Sequence, residues 1–322
     1  MEGFWVWCSS VIKGEDDRYH MFASRWPKVY TMHPGWIFKS EVVRAVSDRP
    51  EGPYVFQEVV LPERGAGYWD GRATHNPSII QCGDTYVLFY TGITTPFVNL
   101  TPENTISEDE KYIVAQSNKR IGIATSKSIF GPWDRKDTPI LPTRPGKFDS
   151  FQTSNPAPCI NNDGSVLLVY KARRYMENRM GPMTLGVAYA EHYAGPYSIR
   201  SEEPIFPIDK HGQIEDPFIW HSHEGYHMIA KDMEGNICGE KYAGVYAYSK
   251  DGFHWELIKK GKAYSRNICW SDGKITTMGC FERPFILFEN ITATHIFAAT
   301  ADGPGGFGNA KNTWNMVVPL KC

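Results

Sequence analysis

The chain has 322 residues, enough for one or two domains, and 42% of them are apolar, so it can bury a sizeable core and is not disordered. The formal charge of −2 and the lack of any Lys/Arg run longer than two residues argue against nucleic-acid binding. Apolar runs are too short to span a membrane as a helix.

Seven cysteines are scattered along the chain without a C-x-x-C pair, which predicts buried, reduced thiols and no metal ligands. The segment Met1–Trp7 lacks the basic and apolar regions of a signal peptide and is typical of a strand. The compartment stays open, and a periplasmic or secreted location is expected if a leader precedes this strand.

One strand pattern recurs five times, and such a repeat determines the fold. Each unit has an apolar strand that in four units opens with x-Pro, a second apolar strand, a third strand alternating small and apolar residues, and a turn related to Gly-Pro-aromatic. The clearest turns are Gly52–Tyr54, Gly131–Trp133 and Gly195–Tyr197, with a degenerate copy at Asp302–Pro304. Alternation with period two is typical of half-buried strands.

The predicted strands follow this pattern in chain order. The first unit has Ser9–Ile12, without proline, and Arg18–Ala23; the second has Asn76–Ile80, Thr85–Tyr90 and Ile121–Thr125; the third has Asn155–Cys159, Ser165–Tyr170 and Leu185–Tyr189; the fourth has Asp216–Trp220, Tyr226–Ala230 and Gly244–Tyr248; the fifth has Arg283–Leu287 and Thr294–Ala298.

These strands predict an all-β chain, residues 1–322, folded as one five-bladed β-propeller of four-stranded antiparallel blades. A β-sandwich also contains many short strands, but it gives no reason for five copies of one motif. The strands around Trp5 and Trp314 are expected to lie together and close the ring. The approximate blades are residues 1–62, 63–142, 143–207, 208–270 and 271–322.

Two insertions, residues 94–118 and 174–182, separate strands of the second and third units. Long insertions in a compact domain are usually functional, so they are expected to form walls or lids of a site.

The segments that lead into the x-Pro strands should surround one mouth of the central channel, because innermost strands run along it. Glu215-Asp216 and Glu282-Arg283 are charged segments of this kind, and buried charges are expected to be paired or functional. Trp69-Asp70 and Phe148-Asp149 repeat an aromatic-Asp pair, and these aspartates could equally tie a blade to its neighbour.

Two or three carboxylates around a pocket suit the hydrolysis of a glycosidic bond. Aromatic side chains near strand ends could stack on sugar rings; they are Trp36, Tyr68, Trp69, Trp220 and Trp270.

The x-Pro starts, best seen from Asp216 to Tyr226, and the Gly-Pro-aromatic turns resemble those of the five-bladed propeller glycoside hydrolases, the group with families 43, 32, 62, 68, 117 and 130. The resemblance extends over the whole chain. It implies a glycosidase that acts on an oligo- or polysaccharide by carboxylate acid/base catalysis, inverting and exo-acting. No cofactor is required, although a structural cation in the channel is compatible with it.

Relatives resembling family 43 take an Asp base, an Asp that tunes the acid, and a Glu acid from three blades. The resemblance implies that Asp216 is the tuning residue and Glu282 the acid. The base position holds Asn76, so the nearby Asp70 is predicted as the base, with Glu215 as the acid of an alternative register. Residues predicted to bind the substrate are Trp69, Arg72, His75, Asn76, Arg173, Lys231 and Arg283.

Three other functions stay open: a retaining hydrolase of the sucrase or fructan type, a glycoside phosphorylase, and an inactive carbohydrate-binding propeller, which Asn76 favours. A phosphorylase would bind phosphate through the predicted cations together with Lys171. If Glu282 and Asp70 form an inverting pair, their carboxyl groups should be about 6.5–9.5 Å apart, whereas a retaining pair is about 5–5.5 Å apart.

Overall fold

The computed structural model describes residues 1–107, 109–177, 179–258, 261–303 and 306–320. Pro304, in the degenerate fifth turn, and Cys322 lie outside these described residues. Regular structure is almost entirely β, and no helix in the described ranges is long and apolar enough to cross a membrane.

The elements follow one another in the order of the predicted units. They are β1 (Phe4–Lys13), β2 (Tyr19–Pro27), α1 (Met32–Lys39), β3 (Glu41–Ser47) and β4 (Val55–Leu61); β5 (Ala73–Cys82), β6 (Thr85–Ile93), α2 (Glu110–Ser117), β7 (Arg120–Ser126) and β8 (Asp134–Arg135); β9 (Gln152–Ile160), β10 (Val166–Arg173), β11 (Tyr175–Met176), β12 (Arg179–Met180), β13 (Thr184–Ala190) and β14 (Ser198–Ile199); α3 (Ile208–His211), β15 (Ile214–His221), β16 (Tyr226–Asp232), β17 (Gly244–Ser249) and β18 (Glu256–Leu257); and β19 (Asn267–Cys269), β20 (Ile275–Thr277), β21 (Cys280–Glu289), β22 (Thr292–Ala301) and β23 (Thr313–Pro319).

Five antiparallel sheets are the blades, which confirms the all-β, five-bladed propeller. Four of the sheets have four strands, and β21–β22–β23 is three-stranded in the described part of the chain. The pairs β11–β12 and β19–β20 are separate hairpins outside the blades. Each blade sheet lies within one of the predicted units.

The apolar core lies between blades, because each sheet packs one face against each neighbour. Val87 and Leu168, for example, belong to one cluster between the second and third blades, and equivalent clusters lie between every other adjacent pair. The first and last blades are further joined where the Val6 amide donates to Thr313 Oγ1, at 3.0 Å. The predicted closure of the ring is therefore confirmed.

Each innermost strand contains a β-bulge whose first residue has a left-handed backbone, with φ of 49–55°. Non-glycine residues adopt this conformation rarely, and an extra residue in one strand re-aims the side chains beside it. The five bulge residues form what we call the floor ring; they are Cys8, Asn76, Asn155, Asp216 and Arg283.

Strand direction decides which loops meet at the channel mouth. Because the strands of a blade are antiparallel, the connection from the second to the third strand and the connection to the next blade both lie where the innermost strand begins. The insertion 94–118 joins β6 to β7 at this end and contains α2.

Candidate active site

A cavity of about 410 Å³ opens at the end where the innermost strands begin, above the floor ring. Asn76 accepts from Cys8 Sγ (2.9 Å) and donates to Asn155 Oδ1 (2.6 Å), and Asn155 donates to Asp216 Oδ1 (2.8 Å). Arg283 Nη1 donates to the same Asp216 oxygen at 3.1 Å. Adjacent blades are thus linked side chain to side chain beneath the cavity.

The bulge explains why so many charged side chains line the cavity. Successive side chains of a regular strand point to opposite faces, but the residue before each bulge lines the cavity together with the bulge residue in four blades. Glu215 and Asp216 do so in the fourth blade, and Glu282 and Arg283 do so in the fifth. Glu282 and Glu215, the acids of the two alternative registers, therefore lie in the same site.

Lys231 is at the centre of the charged side of the cavity. Its ammonium contacts Glu215 Oε2 at 2.8 Å, Asp216 Oδ2 at 3.4 Å, and Glu282 Oε2 in a shorter contact. Glu215 also accepts from Lys171 through its other oxygen. Oxygens of the three carboxylates lie within 4.8 Å of one another, a spacing that could hold a metal ion, but here the Lys231 ammonium supplies the positive charge among them.

The charges of this network reinforce one another. Burial disfavours the ionised form of Glu215, but Lys171 and Lys231 outweigh it and hold the pKa of this carboxyl well below its usual range. Burial likewise opposes the charge of Lys231, and Glu215, Glu282 and Asp216 raise its pKa well above the usual range. Glu215 is therefore anionic and Lys231 cationic at neutral pH.

The opposite side of the cavity is aromatic. Trp7 packs edge-on against Phe307 with ring centroids 5.3 Å apart, and His33 packs against Tyr112 at 5.5 Å. Tyr112 lies on α2, so the 94–118 insertion forms part of the cavity wall. Its functional role stays a prediction. Trp26, Trp36 and Gln116 complete this wall.

Most of the predicted site residues line this cavity. They are His75, Asn76, Arg173, Glu215, Asp216, Lys231, Glu282 and Arg283.

Asp70 does not converge with them, and this part of the prediction is wrong. Its carboxylate is fully buried beside its own blade, where Arg64 Nε donates to Oδ1 (2.7 Å), and Tyr90 (2.7 Å) and Arg135 Nη2 (2.6 Å) donate to Oδ2. Both carboxylate oxygens thus accept from fixed partners and Asp70 does not line the cavity, so it cannot activate water there.

Asp149 repeats this arrangement one blade later. Arg144 Nε donates to Oδ1 at 3.0 Å and Tyr170 donates to Oδ2 at 3.0 Å. The aromatic-Asp pair is therefore a structural motif that ties the entry of a blade to its own sheet. A structural role was one of the two interpretations that the sequence allowed, but the expected tie to a neighbouring blade is wrong, because the partners of each aspartate belong to its own blade.

Trp69 and Arg72 also lie outside the cavity. The Trp69 ring stacks on Tyr90, and a Cβ added at Gly122 would come within 2.3 Å of it, so the small residue of the third strand is needed for this close approach. Arg72 pairs with Glu63 at 2.7 Å. Of the other predicted stacking residues, Trp36 lines the cavity, Trp220 lies at the opposite end of the channel, and Tyr68 and Trp270 are exposed elsewhere.

Sequence reasoning missed Lys119 and most of the aromatic wall. Lys119 lies between the end of α2 and the start of β7, in no repeated motif, and its side chain is only 1% exposed. A lysine that directly precedes a buried apolar strand is the one local signal that could have pointed to it.

No protein-family model matches the sequence, and a comparison with curated proteins finds no match. Solved structures do resemble the whole chain. Zg3597, a family 117 glycoside hydrolase of the marine bacterium Zobellia galactanivorans, is 16% identical with a TM-score of 0.64, covering 98% of this chain and 83% of that one.

Two further structures are similar in the same way. The GH43_1 enzyme of Xanthomonas citri, complexed with xylotriose, is 14% identical with a TM-score of 0.62, covering 100% of this chain and 88% of its own. CoXyl43, a family 43 β-xylosidase/α-arabinofuranosidase from a compost metagenome in complex with xylotriose, is 14% identical with a TM-score of 0.61, covering 100% and 92%. At these identities the likeness shows the fold alone.

Proposed function

We propose that this protein is a glycosidase that removes a sugar from the end of a glycan, with Glu282 as the proton donor and Glu215 as the anionic partner. One observation carries this proposal. The two glutamates occupy equivalent positions of adjacent blades, both line the cavity, and they share Lys231 while differing in their remaining partners.

Unequal environments suit unequal roles. Glu215 contacts two ammonium groups and stays ionised, whereas Glu282 contacts one ammonium group and lies beside the Cys280 thiol. Glycosidases divide the acid role and the anion role between two carboxyl groups with different surroundings. The aromatic wall faces this pair, and such rings favour the apolar faces of sugars.

The spacing of the carboxylates favours a retaining reaction. Glu215 and Glu282 both contact the Lys231 ammonium, so their carboxyl groups lie close together. Close carboxyl groups are the arrangement of retaining pairs, which are about 5–5.5 Å apart, whereas inverting pairs are about 6.5–9.5 Å apart. The inverting pair expected from the sequence depended on Asp70, which lies outside the cavity. The floor ring below the cavity supports exo-action, because it leaves one mouth for the glycan.

In the proposed reaction, Glu215 attacks the anomeric carbon while the glycosidic C–O bond breaks and the leaving oxygen takes the proton of Glu282. Water then loses a proton to the Glu282 carboxylate and attacks the same carbon. The ester bond breaks, which returns Glu215 as a carboxylate and releases the sugar with its configuration retained.

The test is a panel of aryl glycosides followed by proton NMR of the first product. The proposal expects the anomer of the substrate, together with a 2-fluoro glycosyl adduct located on Glu215 by peptide mass spectrometry. Inverted product, or an adduct elsewhere, would refute the assigned roles. If no glycoside of the panel is cleaved by the wild-type chain while glycans still bind, the protein is the inactive carbohydrate-binding propeller instead.

A further inference from the structure

Lys119 is a buried lysine of the cavity for which the proposed reaction has no use. Its ammonium lies over the Trp36 ring, 4.6 Å from the centroid. The ion pairs of the cavity are made by the other basic residues, and in the described part of the chain no carboxylate oxygen lies within 4 Å of Lys119. Burying a charge without a counter-ion is unfavourable, so the residue requires an explanation.

Lys119 is acted on by two cations, Lys171 and Arg173, together with the carboxylates of Glu215 and Asp216. Burial, followed by the charge of Lys171, holds its pKa well below the usual range; Arg173 acts in the same direction, while Glu215 and Asp216 partly oppose it. Like charges at one face of a cavity repel each other, and an anion placed between them would remove this repulsion.

His75 adds a hydrogen-bond donor to the same region. Burial and the charges of Lys119, Arg283 and Lys171 keep this ring neutral by lowering its pKa. Its Nδ1 faces the Ser40 hydroxyl at 3.4 Å, and Nε2 is buried with no hydrogen-bond partner among the described residues. With Ser40 donating to Nδ1, the ring hydrogen is on Nε2 and is available to a ligand.

The lining of the cavity as a whole has more basic than acidic groups. Three carboxylates face it, from Glu215, Asp216 and Glu282. The basic side chains are Lys119, Lys171, Arg173, Lys231 and Arg283.

We infer that Lys119, Lys171 and His75 form an oxyanion subsite beside the carboxylate pair, and that the sugar taken by this site carries a carboxylate, as a uronic acid does. The identity of the ligand as a sugar rests on the proposed glycosidase function. Inorganic phosphate has the same chemistry and is the other source of an oxyanion for these donors.

The inference is tested by titration calorimetry of the full chain with glucuronate, galacturonate, glucose, galactose and inorganic phosphate. One charge-assisted hydrogen bond is worth about tenfold in affinity, so a uronate should bind about tenfold tighter than its neutral parent sugar. Lys119→Met should bring this ratio to about one. Lys119→Arg should keep most of it, and Lys147→Met, which changes an exposed lysine paired with Glu202, should leave it intact.

Circular dichroism of each variant separates loss of the subsite from loss of the fold, and Lys119→Gln replaces Lys119→Met if the latter does not fold. Saturable phosphate binding that depends on Lys119, with a sugar phosphate released from an aryl glycoside, would support the subsite and assign phosphate to it. Equal affinity of wild-type protein for acidic and neutral sugars without phosphate binding, or an unchanged ratio in Lys119→Met, would overturn it. These titrations need no turnover, so an inactive chain with Lys119-dependent binding would count against the glycosidase proposal alone.

Discussion

Two groups of buried carboxylates lie near the starts of the blades, and they differ in their partners. Asp70 and Asp149 are fully buried and are held by arginine and tyrosine within their own blade. Glu215 and Glu282 are held by lysine, join adjacent blades, and line a cavity.

The difference shows how a structural carboxylate can be told from a candidate catalytic one. The guanidinium group is rigid and always charged, and with a tyrosine hydroxyl it uses the carboxylate oxygens completely. The ammonium group of lysine is a point charge on a flexible chain, whose charge state and position respond to its surroundings. Burial and charge alone do not distinguish the two groups, whereas access to a cavity does.

The largest effect is expected from Glu282→Gln, which tests the carboxylates that line the cavity. Losing the proton donor should lower kcat/KM about 10²–10⁴-fold on substrates with poor leaving groups, and far less on an activated aryl glycoside that needs no proton. Steady-state kinetics on both substrates measure it. Equal, modest losses on the two would mean that Glu282 binds the sugar without donating a proton.

Asp70→Asn tests the carboxylates that are held by arginine and tyrosine. Breaking a buried ion pair costs about 3–5 kcal/mol because it leaves a buried charge without a partner, and the lower end applies because Arg64 keeps its contact with Asp137. Urea unfolding should show this loss of stability. The kcat/KM of the folded variant should change less than about threefold, because a residue that does not contact the substrate does not alter the activation free energy of the reaction. A fall in turnover as large as that of Glu282→Gln would restore Asp70 as a catalytic candidate.

A smaller effect is expected from Gly122→Ala, which probes the packing beneath Trp69. The new Cβ would lie 2.3 Å from the indole ring, so the ring or strand must move, and overpacking of this kind costs about 1–3 kcal/mol. Gly67→Ala is the matched control, because nothing lies within 4 Å of its Cβ position. Equal unfolding free energies for the two variants would show that Trp69 is free to shift.

The smallest effect is expected from Lys119→Met, and it depends on pH. Because the folded pKa of Lys119 is depressed, the unfolded chain binds this proton more strongly, and stability of the wild type should rise with pH between the folded pKa and about 10.5. Lys119→Met should remove this rise. It should also keep or slightly increase stability at neutral pH, as thermal unfolding across pH values would measure. Marked destabilisation at neutral pH would mean that Lys119 holds the wall together through its contact with Trp36.

Several features could be predicted because their signals are local. Alternating strands, strand-opening prolines and Gly-Pro turns lie within a few residues of one another, and their fivefold recurrence leads directly to the propeller. Glu215, Asp216 and Glu282 could be predicted for the same reason, since they directly precede such prolines.

The roles of the carboxylates could not be predicted from local sequence signals. The Asp70 carboxylate accepts a hydrogen bond from Arg135, which is 65 residues away in sequence. No local sequence signal near Asp70 predicts this contact. The Glu215–Glu282 pair is set by Lys231. This lysine lies opposite Glu215 in the β15–β16 hairpin, but it contacts Glu282 only because the fourth and fifth blades pack together.

The sequence by itself determined the number of blades, the strands, and the carboxylates that directly precede strand-opening prolines at the channel mouth, because hydrophobic period and turn chemistry act over a few residues. Only the tertiary structure decided which of the buried charges face a cavity and which face an arginine. That choice depends on contacts between residues distant in sequence, on bulges that turn two consecutive side chains toward the axis, and on an insertion that brings Lys119 into the wall.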